Sequence, residues 1–261
     1  MAWWKEIIGL GPAKTGPRPE ALPDRHTPGP VPAPDLPRIR PDDPRIAEGR
    51  ALRLRHWQRL GELEEAPLTY IGDPTLHGAP AWPAGRQCYQ ILRRTGSLIV
   101  ATDGLSDPFV ATRATEESGY GVEIFVEIPG AEAIDRAMIR ESWVFALIEI
   151  VAQNIAGFGG IADRIEREGV VAMSVPLLDP PEPDWVDDIG FTAVLIGLPA
   201  RRAAARLDLP FGPMRFLAVT LLRPAEAVFA ARSAANRAAL ADRLRDTGHE
   251  HLSDPRRVSV L

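Results

Sequence analysis

The chain has 261 residues, 45% hydrophobic and 25% charged, which is enough apolar content for a sizeable core. Its formal net charge of −5 gives no basic face of the kind nucleic-acid binding needs, so no nucleic-acid partner is expected. The single cysteine, Cys88, rules out an intrachain disulfide. Of 30 basic residues only Lys5 and Lys14 are lysines, leaving 28 arginines, a coding bias rather than a binding signal.

Along the chain, Trp3, Trp4, Ile7, Ile8 and Leu10 fall on one helical stripe and make a short apolar head, a candidate docking peptide. The head lacks the basic n-region and long apolar run of a signal peptide. The run WVFALIEIVA is broken by Glu149 and falls short of the ~20 residues of a membrane span. No transmembrane segment and a cytoplasmic location are therefore expected. Eleven prolines punctuate the stretch from Pro12 to Pro44, each removing a donor and restricting its predecessor. Residues 1–43 read as the head plus a disordered, polyproline-like linker, and 44–261 as one domain.

From Pro44 to Gly61, Ile46, Leu52, Leu54 and Trp57 predict a helix with a glycine stop. APLTYIGDP carries a short strand. CYQILRR and GSLIVATDG predict a hairpin about Thr95-Gly96, with Cys88 as small buried filler. In YGVEIFVEIPG, Val122, Ile124, Val126 and Ile128 alternate with Glu123, Phe125 and Glu127, which predicts an inner strand. One long helix is expected over the stretch ending at Gly157, with Ile139, Trp143, Leu147, Ile150, Val151 and Ile155 on its inner face. GVVAMSVPLL, GFTAVLIGLP and MRFLAVTLL read as buried strands, and Pro224 to Gly248 as a second long helix. The mixture predicts an α+β domain whose mixed sheet is covered by helices.

The tetrapeptide Leu-Ser-Asp-Pro occurs twice, at Leu105–Pro108 and Leu252–Pro255. Ser106 lies two residues after Gly104, but Pro108 stands where a nucleophile elbow has its second glycine. The first copy reads better as a turn after a strand, with Ser106 or Asp107 bonding nearby backbone donors. The second reads as closing the domain. Glu123 and Glu127, four apart on one strand, would stand about 13 Å apart, too far for a glycosidase pair. His249 and His251, with Asp254, are a thin basis for a metal, and neither a metal nor a cofactor is expected.

The runs ATDGLSDPF, SGYGVEIFVEI, SWVFALIEIVAQNIA and GHEHLSDPRRVSVL resemble the suppressor of fused domain family. The most specific part is Gly-Leu-Ser-Asp followed by Gly-Tyr-Gly-Val-Glu-Ile, and the likeness spans about residues 50 to 261. Free-standing bacterial members are the most similar. The resemblance implies a non-catalytic protein-binding domain, with a toxin or effector as partner and a role as an immunity protein or adaptor. In animal members a partner peptide binds as a strand. A hydrolase or metal-dependent enzyme using Ser106, or His249 and His251, is the alternative. The expected partner surface is an acidic rim of Asp103, Ser106, Asp107, Glu123 and Glu127. Asp73 and an aromatic anchor, Trp82, would extend it.

Overall fold

The computed structural model describes residues 38–70, 72–110, 117–201, 203 and 205–261. The apolar head and nearly all of the proline-rich linker lie outside the described residues. The compact unit that holds the domain runs from Leu36 to Leu261, and Ile39 is already buried in it.

One mixed sheet organises the domain. Its strands are β1 (Glu62–Leu63), β2 (Leu68–Thr69), β3 (Cys88–Arg94), β4 (Ser97–Asp103) and β5 (Val122–Pro129), then β6 (Val171–Pro176), β7 (Phe191–Leu198), β8 (Arg206–Leu209) and β9 (Gly212–Leu222). The path across the sheet is β1-β3-β4-β5-β9-β7-β6, with β2 on β3 and β8 on β9. Among the described residues only β5 and β9 pair in parallel; the remaining pairs are antiparallel. The hairpin turns about Thr95-Gly96 as expected, with Arg94 opposite Ser97.

Helices α1 (Pro44–Gln58), α2 (Arg136–Arg140), α3 (Trp143–Phe158), α4 (Ile161–Glu168), α5 (Pro224–Ala231) and α6 (Ala234–Asp246) cover the sheet. Leu147, Ile148 and Val151 of α3 pack on Val100, Ile124, Val126 and Val194 on one face. On the other, Trp57 of α1 packs on Ile99, Phe125 and Phe216, while Leu240 and Leu244 of α6 cover Leu195 and Leu222. Both faces of β5 are therefore dry: its residues from Val122 to Ile128 are all buried.

Two expected long helices are each interrupted at a serine. Ser142 is extended (φ −88°, ψ 158°) between α2 and α3, and Ser233 (φ −166°, ψ 165°) separates α5 from α6. A serine side chain competes for backbone groups, and here Ser142 Oγ donates to the Ile139 carbonyl while Ser233 Oγ accepts from Asn236 N. The inner line of α1 is also not the apolar one. Gly49, Arg53, His56 and Trp57 are buried, whereas Ile46, Leu52 and Leu54 are half-buried.

The second Leu-Ser-Asp-Pro run closes a fork. Strands β5 and β9 pair over Val122–Phe125 and Arg215–Ala218 and then separate. Ser253 enters the gap. Its N–H donates to the Glu127 carbonyl (2.9 Å), and its hydroxyl accepts from Leu221 N and donates to the Val219 carbonyl (both 3.0 Å). Arg257 Nη2 satisfies the Leu221 carbonyl at 2.9 Å. That guanidinium is held by Glu226, and both side chains are 0% exposed.

Candidate functional site

The run Asp103-Gly104-Leu105-Ser106-Asp107 leaves the end of β4 and turns over the start of β5. Glycine is required twice. Gly104 has φ +147°, and a Cβ there would sit 2.1 Å from the Arg86 carbonyl oxygen. Gly119 has φ +54°, and its Cβ would meet the Asp107 and Leu105 carbonyls at 2.3 and 2.4 Å. Tyr120 N donates to the Leu105 carbonyl at 2.9 Å. The two glycine-containing runs are thus pressed against each other backbone to backbone.

Glu123 anchors the turn from β5. Its Oε1 accepts from Gly104 N (2.9 Å), Ser106 N (3.0 Å) and Ser106 Oγ (2.7 Å), and its Oε2 from Thr102 Oγ1 (2.6 Å). The turn's backbone donors are therefore satisfied by a remote carboxylate rather than by Ser106 or Asp107, as the local reading had it. Both aspartates face arginines instead. Arg53 of α1 donates to Asp103 Oδ1 (2.8 Å) and Asp107 Oδ1 (2.6 Å), and lies 3.6 Å from Glu123. Arg86 grips Asp103 with two bonds of 2.8 and 3.0 Å and reaches Asp107 at 3.1 Å. Gln90 adds a bond of 3.0 Å to Asp103.

Three carboxylates thus face two guanidiniums, with Arg50 3.9 Å from Asp103 as a third cation at the margin. Burial works against ionisation of Asp103. The Arg86 hydrogen bonds and the Arg53 and Arg86 charges outweigh it and hold the carboxyl well below its ordinary value.

These positions correct the expected acidic rim. Asp103, Ser106 and Asp107 are each 1% exposed, Glu123 0% and Glu127 5%. Alternating polar and apolar residues read as a half-solvated strand, but α1 and the C-terminal run cover the polar face. Glu123 and Glu127 share that face, as expected, yet belong to separate networks. Glu127 takes bonds from Ser97 Oγ (2.6 Å), Arg94 (2.8 Å) and His251 Nε2 (2.8 Å). Burial opposes ionisation of Glu127 too, and these contacts hold its carboxyl below its ordinary value. Trp82 is buried rather than an exposed anchor, with its ring edge 3.2 Å from where a Gly104 Cβ would be. Asp73 is exposed and caps the short 3-10 turn Pro74–His77 through Thr75 N at 2.9 Å. Cys88 is buried, as expected.

Two of the three residues of the alternative chemistry are engaged by the fold, and His249 is half-buried. The Ser106 hydroxyl donates a hydrogen bond to Glu123, and His251 is buried against Glu127. Among the described residues no group of three or more His, Cys, Asp or Glu is placed to hold a metal ion.

The family profile of the suppressor of fused protein (SUFU) matches residues 87–258, well over half of the chain. The chain belongs to the suppressor of fused family. The matched residues include the glycine-locked turn and the three carboxylates of the hub beneath it. In structure it is similar to a chain of the Sufu–Fu complex, with a TM-score of 0.54 and 13% identity, over 82% of this chain and 91% of that one. It is also similar to Drosophila Suppressor of Fused, with a TM-score of 0.51 and 14% identity. That match covers 81% of this chain but spans only 50% of the Drosophila chain. No curated protein matches the sequence. The sequence reading missed Arg53, Arg86 and Gln90, the partners of the signature acids, and Glu226 and Arg257. Their one sequence signal was an arginine set one turn before Trp57 on a helix that must bury a face.

Proposed function

We propose that this domain is a non-catalytic module that binds another protein. In this reading it acts in the cytoplasm, as an immunity protein that neutralises a toxin or as an adaptor. Family membership supports the binding role, and the mildly acidic chain suits a basic partner. The observation that carries the proposal is the open edge of β6, which among the described residues pairs with β7 alone.

Leu177 N bonds the Gly190 carbonyl, so odd-numbered residues of β6 face β7 and the backbone groups of Ala172 and Ser174 face outward. Ser174 is exposed, and the apolar side chains of Leu178 (99% exposed) and Ile189 (77%) stand at the strand's end. An extended partner segment would add here as a further strand, with backbone hydrogen bonds supplying affinity. Of the seven residues expected on the partner surface, Asp73 stays a candidate contact. The other six are assigned to the framework.

Co-purification from the native host, with the products of adjacent genes identified, tests the role. A co-purifying toxin supports the immunity reading. Ser174→Pro tests the edge, because it removes an outward N–H without touching the β6–β7 ladder. The variant should melt within a few degrees of the parent and lose the partner. Unaltered capture by a folded Ser174→Pro protein would take the edge out of the proposal.

A further inference from the structure

Among the described residues the buried carboxylates, Asp103, Asp107, Glu123, Glu127 and Glu226, each have an arginine within 4 Å. Glu149 breaks the pattern. It interrupts the apolar sequence of α3, is half-buried, and has no ion-pair partner among the described residues. Its Oε1 accepts a hydrogen bond from the Tyr70 hydroxyl, which in turn lies 3.3 Å from that of Tyr89. Burial first, and then the Glu149 carboxylate, push the Tyr70 hydroxyl well above its ordinary pKa, so Tyr70 serves as a neutral donor.

A carboxylate has about four acceptor positions, and one tyrosine hydroxyl fills one of them. Glu149 lies in an open cleft of about 490 Å³, with Tyr70 and Gln153 beside it and Pro74, His77 and Pro80 as walls. The Arg140 guanidinium donates to the Thr69 carbonyl, next to Tyr70, at 2.8 Å. The cleft thus combines one acid without an ion-pair partner, an aromatic ring and mixed walls in which Pro74, Ala79 and Pro80 supply the apolar part.

We infer that this cleft is a receptor for a cationic side chain, an arginine or lysine presented by the partner protein. The guanidinium or ammonium group would meet Glu149, its stem would lie along Pro74 and Pro80, and the Tyr70 ring would add a cation–π contact. Asp73, exposed and one residue before Pro74, caps the wall-forming turn. This rests on the protein-binding reading, but the cleft can be tested without any partner.

The probe is N-acetyl-argininamide, titrated into the isotope-labelled full chain and followed by NMR, with the neutral N-acetyl-citrullinamide as control. Saturable shifts confined to the residues around Tyr70, Gly78 and Gln153 are expected, with a Kd on the order of 1 mM. The citrulline compound should give none. Glu149→Gln should weaken the arginine probe at least about tenfold. Gln153→Lys provides a second variant that keeps the helix, since it forms a favourable i,i+4 pair with Glu149. Its resident ammonium should displace the probe.

Equal binding of the citrulline compound, or parental binding by Gln153→Lys, would overturn the inference. If the probe fails while a native partner is still captured, the cleft falls and the protein-binding reading stands. If the probe binds but Glu149→Gln leaves partner affinity unchanged, the cleft serves a free cation, and the inference of a partner side chain is overturned.

Discussion

Replacing Arg53 by methionine tests whether the signature turn rests on charge rather than shape. Methionine fills much of the arginine volume but supplies no donor. In the parent, Arg53 lies 2.8 Å from Asp103, 2.6 Å from Asp107 and 3.6 Å from Glu123, with its side chain 2% exposed. Removing one member of a buried ion pair costs about 3–5 kcal/mol, because the charges left behind stay out of water. Arg86 and the more distant Arg50 remain, which keeps the loss inside that range. A domain of this size shifts Tm by about 2–4 °C per kcal/mol, so the fall should be roughly 6–20 °C. Acid supplies a second reading. Asp103 has a depressed carboxyl in the folded state, so its contribution is complete above the ordinary value of 3.8 and is lost as pH falls through the folded value. The variant loses part of that depression. Its deficit against the parent should therefore be widest at neutral pH and narrow below pH 4, where protonation relieves the unmatched charge. Urea unfolding followed by tryptophan fluorescence at neutral and acid pH measures both gaps. A loss under about 1 kcal/mol at neutral pH, or an equal gap at both, would refute the reasoning.

Gly104→Ala should cost more than about 2 kcal/mol, since both φ +147° and the 2.1 Å approach to the Arg86 carbonyl forbid a Cβ; thermal melting checks it. Ser253→Ala leaves Leu221 N without its acceptor, at a cost of about 1–3 kcal/mol, and should speed amide exchange at Leu221 while leaving Leu217 protected. Glu127→Gln removes a carboxyl depressed chiefly by the His251 and Ser97 hydrogen bonds, despite burial. The stability that this carboxyl adds is present above its ordinary value of 4.5 and fades as pH falls below it. The variant's stability should accordingly vary less than the parent's across that acid range, measured as denaturant midpoint against pH.

The sheet was legible where one residue period repeats. Val122 to Ile128 alternates apart from Phe125, and the register places it in the middle of the sheet. Glycine and proline punctuation located the first Leu-Ser-Asp-Pro turn, and the backbone contacts at Gly104 and Gly119 show why no other residue fits at those two positions. The site was less legible because pairing is non-local. Arg53 lies 50 positions before Asp103, and only its place one turn before the buried Trp57 sets it apart from the other arginines. Glu123 and Glu127 carry the polar half of an alternation, which looks the same whether water or arginine meets it. Helix α4 and strand β8 went unread because each is short: eight and four residues.

The residues that fill the fork between β5 and β9 impose an order on synthesis. The hairpin of β3 and β4 and its neighbour β5 are contiguous and can form early, but β9 joins them across a long intervening chain, and His251 meets Glu127 only 124 positions later. Until residues 251–257 leave the ribosome, the outer half of β5, Glu127 included, stays open to water and to other nascent strands. The waiting polypeptide is then exposed to the aggregation that unpaired strands invite, and a chaperone should hold it longest at that stage.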